Sequence, residues 1–182
     1  NISNVRRSTE ESLDELKKIL DLSTEYPDMA VRAGMATVFG CPFEGKIKPQ
    51  VTLNFIRRFY QLGVRDMSMS DTVGFGNPRE VKELIGICFR EFPDVTFSIH
   101  LHNTRGLGLV NSLAAYESGI RTHDGAVGGL GGCPFAPGAK GNTSTEDLVF
   151  MFEEMGVSTG IEMAALLEAS RYFKKVKKDV SF

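Results

Sequence analysis

Residues 95–104 have the sequence VTFSIHLHNT, in which a run of β-branched and aromatic residues ends in two histidines and two further polar residues. Such a run is typical of a buried strand. Three comparable runs occur elsewhere, and the predicted strands are 31–39, 64–69, 95–101 and 120–127. Their starts lie about 30 residues apart, which is the repeat of successive βα units.

A helix is predicted before the first strand, between each pair of strands and after the last one. The helix signals are a capping box at Ser8–Glu11, starts at Pro49, Pro78 and about Leu107, a second capping box at Thr143–Glu146, and a final helix over about 161–176. This alternation predicts parallel strands joined by right-handed crossovers in one structural unit. Both a doubly wound sheet and a (β/α)₈ barrel are consistent with it.

Composition excludes several classes of protein. The 182 residues carry 21 basic and 23 acidic side chains, a formal charge of −2, which predicts no nucleic-acid partner. No apolar run approaches the ~20 residues that span a bilayer, and no signal peptide is apparent at the N-terminus. Three cysteines without a close pair favour a reducing compartment, so we expect a cytoplasmic protein.

Polar residues that the scaffold does not need follow all four predicted strands. These residues are Cys41, Asp71, His100 with His102, and Cys133 with Asn142. The C-terminal ends of parallel strands share one rim, and ligands bind there in parallel α/β folds. The sequence therefore predicts a functional site at this rim.

His100 and His102 are the sharpest local feature. Two residues apart on a strand, their side chains point to the same side, about 6–7 Å apart along the backbone. Two core histidines satisfied by hydrogen bonds are the alternative to a cation site. The nearby oxygen donors Asp71, Asn103 and Asn142 favour the cation, and this donor set suits Mg²⁺ or Mn²⁺ at least as well as Zn²⁺.

Asp71 and the glycine-rich segment 125–141 each allow more than one interpretation. Asp71 suits a metal ligand, a general base or a helix N-cap. The glycines suit either a loop with positive φ angles or a mobile lid that excludes water.

Cys133 in that segment is a candidate acid or nucleophile, whereas Cys88 lies in an apolar helical pattern and is predicted to be core. The tetrapeptide Gly-Cys-Pro-Phe occurs twice, at 40–43 and 132–135.

Five motifs together resemble the hydroxymethylglutaryl-CoA lyases. They are Phe39-Gly-Cys-Pro-Phe-Glu-Gly45, Ser70-Asp-Thr-Val-Gly74, His100-Leu-His102-Asn-Thr, Gly131-Gly-Cys133-Pro-Phe and Lys140-Gly-Asn142-Thr-Ser-Thr-Glu-Asp-Leu. The resemblance extends in register over essentially the whole chain. His-x-His alone belongs to a wider superfamily of metal-dependent lyases, condensing enzymes and aldolases.

The resemblance implies a TIM barrel of which residues 1–182 form a single catalytic domain lacking its N-terminal half. The chain would supply about the last four βα units plus the C-terminal helices. It implies Mg²⁺ or Mn²⁺ held by His100, His102 and Asn142, with Cys133, Asp71 and His100 as catalytic residues. A further metal ligand, an Asp beside a catalytic Arg on the first barrel strand, has no counterpart here.

The implied reaction is cleavage of 3-hydroxy-3-methylglutaryl-CoA, or a close 3-hydroxyacyl-CoA, to acetyl-CoA and acetoacetate. The expected partner is therefore an acyl-CoA thioester. The alternatives are a related aldolase or condensing enzyme and a non-catalytic fragment or binding module. Because half a barrel leaves two sheet edges open, we also expect a missing N-terminal half or a homo-oligomer.

Overall fold

The computed structural model describes residues 2–132 and 141–179. Its helices are α1 (Ile2–Val5), α2 (Thr9–Ser23), α3 (Pro49–Gln61), α4 (Pro78–Glu91), α5 (Gly108–Glu117), α6 (Thr145–Glu154) and α7 (Met163–Asp179). Its strands are β1 (Ala33–Met35), β2 (Gly40–Cys41), β3 (Gly45–Lys46), β4 (Asp66–Asp71), β5 (Thr96–Leu101) and β6 (Thr122–Asp124). A 3₁₀ turn covers Val127–Gly129. None of the described helices has the length and apolar character needed to cross a lipid bilayer.

The central sheet contains the four predicted strands in the order β1-β4-β5-β6, and every pair is parallel. Ser70 on β4 lies opposite His100 on β5, and His100 lies opposite Asp124 on β6. The α/β class with a parallel sheet is confirmed. The C-terminal ends of the strands lie along one rim, which puts the two histidines next to the ends of β4 and β6.

The strands β4 and β5 alternate between large apolar residues and small or polar ones. Successive side chains on a strand point to opposite faces, so the sheet has one apolar and one polar face. The apolar set is fully buried with helix residues in the hydrophobic core and comprises Met67, Met69, Phe97, Ile99 and Leu101. Each such side chain contributes about 1.5–3 kcal/mol when fully buried. The opposite face, here called the inner face, comprises Asp66, Ser68, Ser70, Thr96, Ser98, His100, Thr122 and Asp124.

Most helices begin at the residues that the sequence predicts. Ser8 caps α2 in a complete capping box with Glu11, and Pro49 and Pro78 open α3 and α4. The cap of α6 differs from the prediction, because Ser144 and not Thr143 is the N-cap residue. The Thr143 hydroxyl is buried and donates to the Leu101 carbonyl at 2.7 Å, so it ties this segment to the end of β5.

Two predicted strands are too long. The first ends at Met35 because Thr37 adopts a φ of 60°, in the left-handed region that turns the chain, and residues 40–46 then form the antiparallel hairpin of β2 and β3. The last ends at Asp124, before the 3₁₀ turn in which Gly128 has a φ of 62°. Glycine tolerates that angle without strain, and the turn returns the chain to the rim.

Candidate active site

His100 and His102 face each other across the end of β5. Their Nε2 atoms are 3.4 Å apart, and the ring planes meet at 67°. The common side that the His-x-His spacing predicts is therefore confirmed. Two ligands of one cation lie about 3 Å apart in an octahedral Mg²⁺ site and about 3.3 Å apart in a tetrahedral Zn²⁺ site. The separation suits a shared cation of either kind.

The two imidazoles differ in their surroundings. His102 is 6% exposed, and its Nδ1 is buried without a hydrogen-bond partner in the described part of the chain. Burial, with a smaller effect from the charge of His100, lowers the pKa of His102. His100 is more accessible, and its Nδ1 lies 3.8 Å from Oδ2 of Asp124. A neutral, buried imidazole is the form in which histidine binds a metal, and His102 meets that condition.

Asn142 lies beside His102, paired with it in an antiparallel bridge. Its amide donates from Nδ2 to the Leu130 carbonyl at 2.7 Å, which fixes the orientation of the side chain. Its Oδ1 is buried and has no partner among the described atoms. A buried acceptor left in that state costs about 1–3 kcal/mol, and a bound cation at the rim would satisfy it.

The donor set at the rim is thus two imidazoles and one amide oxygen. Within residues 2–132 and 141–179, no three His, Cys, Asp or Glu side chains cluster as a metal site. The amide of Asn142 falls outside those residue types. The sequence-predicted ligands His100, His102 and Asn142 therefore lie together, and their role as ligands stays a prediction.

Asp71 is held in place as a loop cap. It is 0% exposed, and its two carboxylate oxygens accept from the backbone amides of Phe75 at 2.9 Å and Gly76 at 2.8 Å. Burial raises the pKa of this carboxyl, against the amides of Gly76 and Phe75 and the charges of Lys46 and Arg105. These contacts cap the loop after β4, and the helix N-cap interpretation of Asp71 is wrong because Asn77 is the N-cap residue of α4. A catalytic role for Asp71 stays a prediction.

Replacing Asp71 by Ala is expected to lower the free energy of unfolding of the intact protein by about 2–4 kcal/mol, because two amides lose their acceptor. Denaturant unfolding measures this. Asp94→Ala is the matched control, since that carboxylate is exposed and its partners are Arg65 at 2.9 Å and the Tyr60 hydroxyl at 3.2 Å. Exposed pairs contribute about 0–1 kcal/mol. Equal losses for both variants would contradict the capping role.

Two of the three cysteines lie in the described part of the chain. Cys133, the predicted catalytic cysteine, lies outside the described residues. Cys88 is buried in the hydrophobic core as predicted, and burial raises the pKa of its thiol to about 12. A thiol with that pKa is not a nucleophile near neutral pH. Cys41 is partly buried on the hairpin.

Glu146 has a role that the sequence did not reveal. Its carboxylate accepts from the Gly128 amide at 2.9 and 3.0 Å and from the Ser144 hydroxyl at 3.0 Å. It therefore fastens the start of α6 to the 3₁₀ turn at the base of the glycine-rich segment. The capping-box pattern at 143–146 contained the signal, but it predicted a bond to the α6 backbone and not to Gly128.

Comparisons with known proteins identify the family. The HMGL-like family model matches residues 3–173. The chain belongs to the HMGL-like family. It is 36% identical over 175 residues to a hydroxymethylglutaryl-CoA lyase of Bacillus subtilis and 38% identical over 169 residues to the mitochondrial hydroxymethylglutaryl-CoA lyase of Homo sapiens. It is also 40% identical over 170 residues to an (R)-citramalyl-CoA lyase of Chloroflexus aurantiacus. The resemblance inferred from the motifs is confirmed.

Solved structures agree with the family assignment. An HMG-CoA lyase from Acinetobacter baumannii, determined in complex with coenzyme A and 3-methylmalate, matches with a TM-score of 0.88 and 42% identity over 95% of this chain. The HMG-CoA lyase of Bacillus subtilis matches with a TM-score of 0.89 and 36% identity over 96% of this chain. The HMGL-like chain spans only 56% and 58% of those two chains, and 58% and 52% of the curated Bacillus and human relatives.

His123 is a third histidine near the rim that faces away from the site. It precedes Asp124 on β6, so its side chain points to the helix-covered face, where its ring packs 5.1 Å from that of Phe152. Both ring nitrogens are shielded from solvent without a well-formed hydrogen bond in the described part of the chain. Burial lowers the pKa of His123 and outweighs the opposing effect of the Ile120 backbone.

We expect stability to fall as the pH drops below about 6.5, where the unfolded chain binds a proton that folded His123 resists. The loss is up to about 1.4 kcal/mol for each unit by which the folded pKa is depressed. His123→Phe should remove this contribution, so the variant should gain more over the wild type at pH 5.5 than at pH 8. His102, also with a lowered pKa, is present in both proteins and cancels. An unfolding difference that does not change with pH would contradict this account.

Proposed function

We propose that the intact protein is a divalent-metal-dependent carbon–carbon lyase that cleaves 3-hydroxy-3-methylglutaryl-CoA, or a close 3-hydroxyacyl-CoA, to acetyl-CoA and acetoacetate. The observation that carries this proposal is the meeting of three donors at the rim. The Nε2 atoms of His100 and His102 face each other at 3.4 Å, and the buried Oδ1 of Asn142 beside them lacks a partner among the described atoms. The family of the chain supports the reaction class.

We propose Mg²⁺ or Mn²⁺ as the resident cation, held by His100, His102 and Asn142. One amide oxygen and two imidazoles leave positions for substrate oxygens and for a carboxylate from outside this chain. A cation held by these residues would polarise the substrate oxygens next to the breaking carbon–carbon bond.

A base must accept the proton of the tertiary hydroxyl as the carbon–carbon bond breaks. Asp71 could do so only by giving up its bonds to Phe75 and Gly76, and the Nε2 lone pair of His100 is proposed to be held by the cation. We therefore propose that the base belongs to the part of the intact protein outside this chain, and that His100 acts in the reaction as a ligand. The electron pair of the broken bond moves onto the thioester, which becomes an enolate, and the carbon that carried the hydroxyl becomes the ketone of acetoacetate.

Cys133 is our proposed acid. Its thiol would donate a proton to the terminal carbon of the enolate, which yields acetyl-CoA, and the proton taken from the hydroxyl would restore the thiol. The residues on both sides of the glycine-rich segment are held by hydrogen bonds. The Gly128 backbone amide donates to Glu146, and the Asn103 backbone amide donates to the Gly141 carbonyl at 3.2 Å. Exclusion of water from the enolate by this segment is part of the proposal.

We further propose that this chain supplies the last four βα units of a (β/α)₈ barrel. The outer edges of β1 and β6 have no strand partner among the described residues, and about 250 residues are typical of the whole fold. The inner face of the sheet would then line the barrel interior. The cysteine usage supports a cytoplasmic location, and a homo-oligomer of the intact protein is part of the proposal.

Expressed alone, the 182-residue chain is expected to self-associate or aggregate, because both edges of its sheet are open to pairing with other chains. Size-exclusion chromatography with light scattering measures this, against the intact protein as control. A monodisperse, cooperatively folding monomer of 182 residues would contradict the half-barrel proposal.

A panel of thioesters tests the substrate. The intact protein should show its highest kcat/KM with 3-hydroxy-3-methylglutaryl-CoA. The competing candidate is (R)-citramalyl-CoA, which the 40% identity to the Chloroflexus enzyme favours. A preference for citramalyl-CoA would retain the lyase class and change the substrate, and cleavage of neither thioester in the presence of Mg²⁺ or Mn²⁺ would contradict the proposed function.

A further inference from the structure

Asp124 lies beside His100 on the inner face of the sheet. The two residues are register partners on β5 and β6, so their side chains leave the sheet on the same side. The distance from Nδ1 of His100 to Oδ2 of Asp124 is 3.8 Å. Asp124 is thus a carboxylate next to the one imidazole nitrogen that does not face His102.

We propose that Asp124 is a positioning residue that keeps the proton of His100 on Nδ1 and thereby directs the lone pair of Nε2 toward His102 and the proposed cation. This inference rests on the proposed function, because the lone pair of Nε2 is what a metal ligand requires. A carboxylate behind the distal nitrogen is the usual way in which a protein fixes the tautomer and ring orientation of such a histidine.

The surroundings leave Asp124 available for this task. Among the described residues, Arg32 is a cation near this face, and its Nε donates to Asp66 at 2.8 Å. That hydrogen bond holds the Arg32 side chain at Asp66. Asp124 interacts with Arg32 only through charge at longer range, so Arg32 does not occupy the Asp124 carboxylate. The Asp124 side chain is 39% exposed, so its carboxylate retains part of its hydration while it faces the imidazole.

The contrast with His102 strengthens the assignment. Nδ1 of His102 is buried without a partner in the described part of the chain, and burial, more than the charge of His100, lowers the pKa of that ring. His100 is accessible and would exchange between tautomers if nothing selected one. Among the described residues, the carboxylate nearest to its Nδ1 is Asp124. Burial therefore favours the neutral form of His102, whereas the tautomer of His100 is set by a charged neighbour.

The test uses the intact protein with Asp124→Asn and, as matched control, Asp66→Asn, a carboxylate on the same face that pairs with Arg32. An Asn amide can donate to Nδ1 of His100 and so favours the opposite tautomer. Nitrogen-15 NMR of the metal-free protein at pH 8, assigned with His100→Gln, should show the proton on Nδ1 in the wild type and in Asp66→Asn but not in Asp124→Asn. Calorimetry with Mn²⁺ should show binding about 10–100-fold weaker for Asp124→Asn only.

Asp124→Asn that keeps both the wild-type tautomer and the wild-type Mn²⁺ affinity would overturn the inference. If the wild type itself does not bind Mn²⁺, the proposed metal is contradicted, while the tautomer comparison still decides the role of Asp124. Should Asp124→Asn fail to fold, Asp124→Ser removes the same charge and is judged by the same two readouts.

Discussion

His102→Ala in the intact protein is expected to abolish Mn²⁺ binding and to lower turnover by about 10³-fold or more. His102 is buried and neutral at the rim, with its Nε2 atom 3.4 Å from that of His100. Without the His102 imidazole, this chain would offer the cation only the His100 imidazole and the Asn142 side-chain amide as ligands. Lewis-acid stabilisation of developing negative charge is worth several kcal/mol, and each 1.36 kcal/mol is a factor of ten in rate.

The matched control is His123→Gln, which alters a histidine on the neighbouring strand that faces the helices and packs against Phe152. Mn²⁺ binding by calorimetry and turnover should both stay close to wild type in that variant. Wild-type Mn²⁺ affinity in His102→Ala would contradict the proposed metal site. Equal losses in both variants would indicate damage to the fold.

Cys133→Ala is expected to lower kcat by about 10²–10⁴-fold, which is the usual contribution of a positioned general acid. KM and Mn²⁺ affinity should change little, because the thiol is proposed to meet the substrate only when the enolate needs a proton. Steady-state kinetics and calorimetry on the same preparation measure the three quantities.

The chain offers a close control for this experiment. Cys41 occupies the other Gly-Cys-Pro-Phe tetrapeptide, on the hairpin of β2 and β3. Cys41→Ala should keep kcat within about twofold of wild type. A Cys133→Ala protein with undiminished kcat would show that another group protonates the enolate, and a large loss in Cys41→Ala would move the thiol chemistry to the hairpin.

Local sequence patterns predicted the four strands and most helix starts. The apolar alternation in β4 and β5, the cap at Ser8 and the proline at the first position of α4 are all local signals. The boundaries failed where backbone conformation overrode that pattern. Thr37 at a φ of 60° ends β1 early, although its neighbours Ala36 and Val38 suit a longer strand. Nothing in the local sequence distinguishes a threonine in the left-handed region from a threonine in a strand.

The site was predictable as far as it depended on spacing along one strand. His-x-His placed both imidazoles on one side, and the strand-end rule brought Asn142 to them. The pairing of His100 with Asp124 and of Glu146 with Gly128 depends on which strands and turns become neighbours, and the sequence carries no local signal for that. Asp71 shows the converse: its motif resembles a catalytic one, yet both carboxylate oxygens bind backbone amides.

The most direct test of the account follows acetyl-CoA and acetoacetate together when the intact protein is mixed with 3-hydroxy-3-methylglutaryl-CoA. The two products are expected to form in equal amounts with Mg²⁺ or Mn²⁺. Cleavage should stop when EDTA removes the cation and resume when either cation is restored. Product formation at an undiminished rate in EDTA, or no cleavage with either cation present, would contradict a metal-dependent lyase.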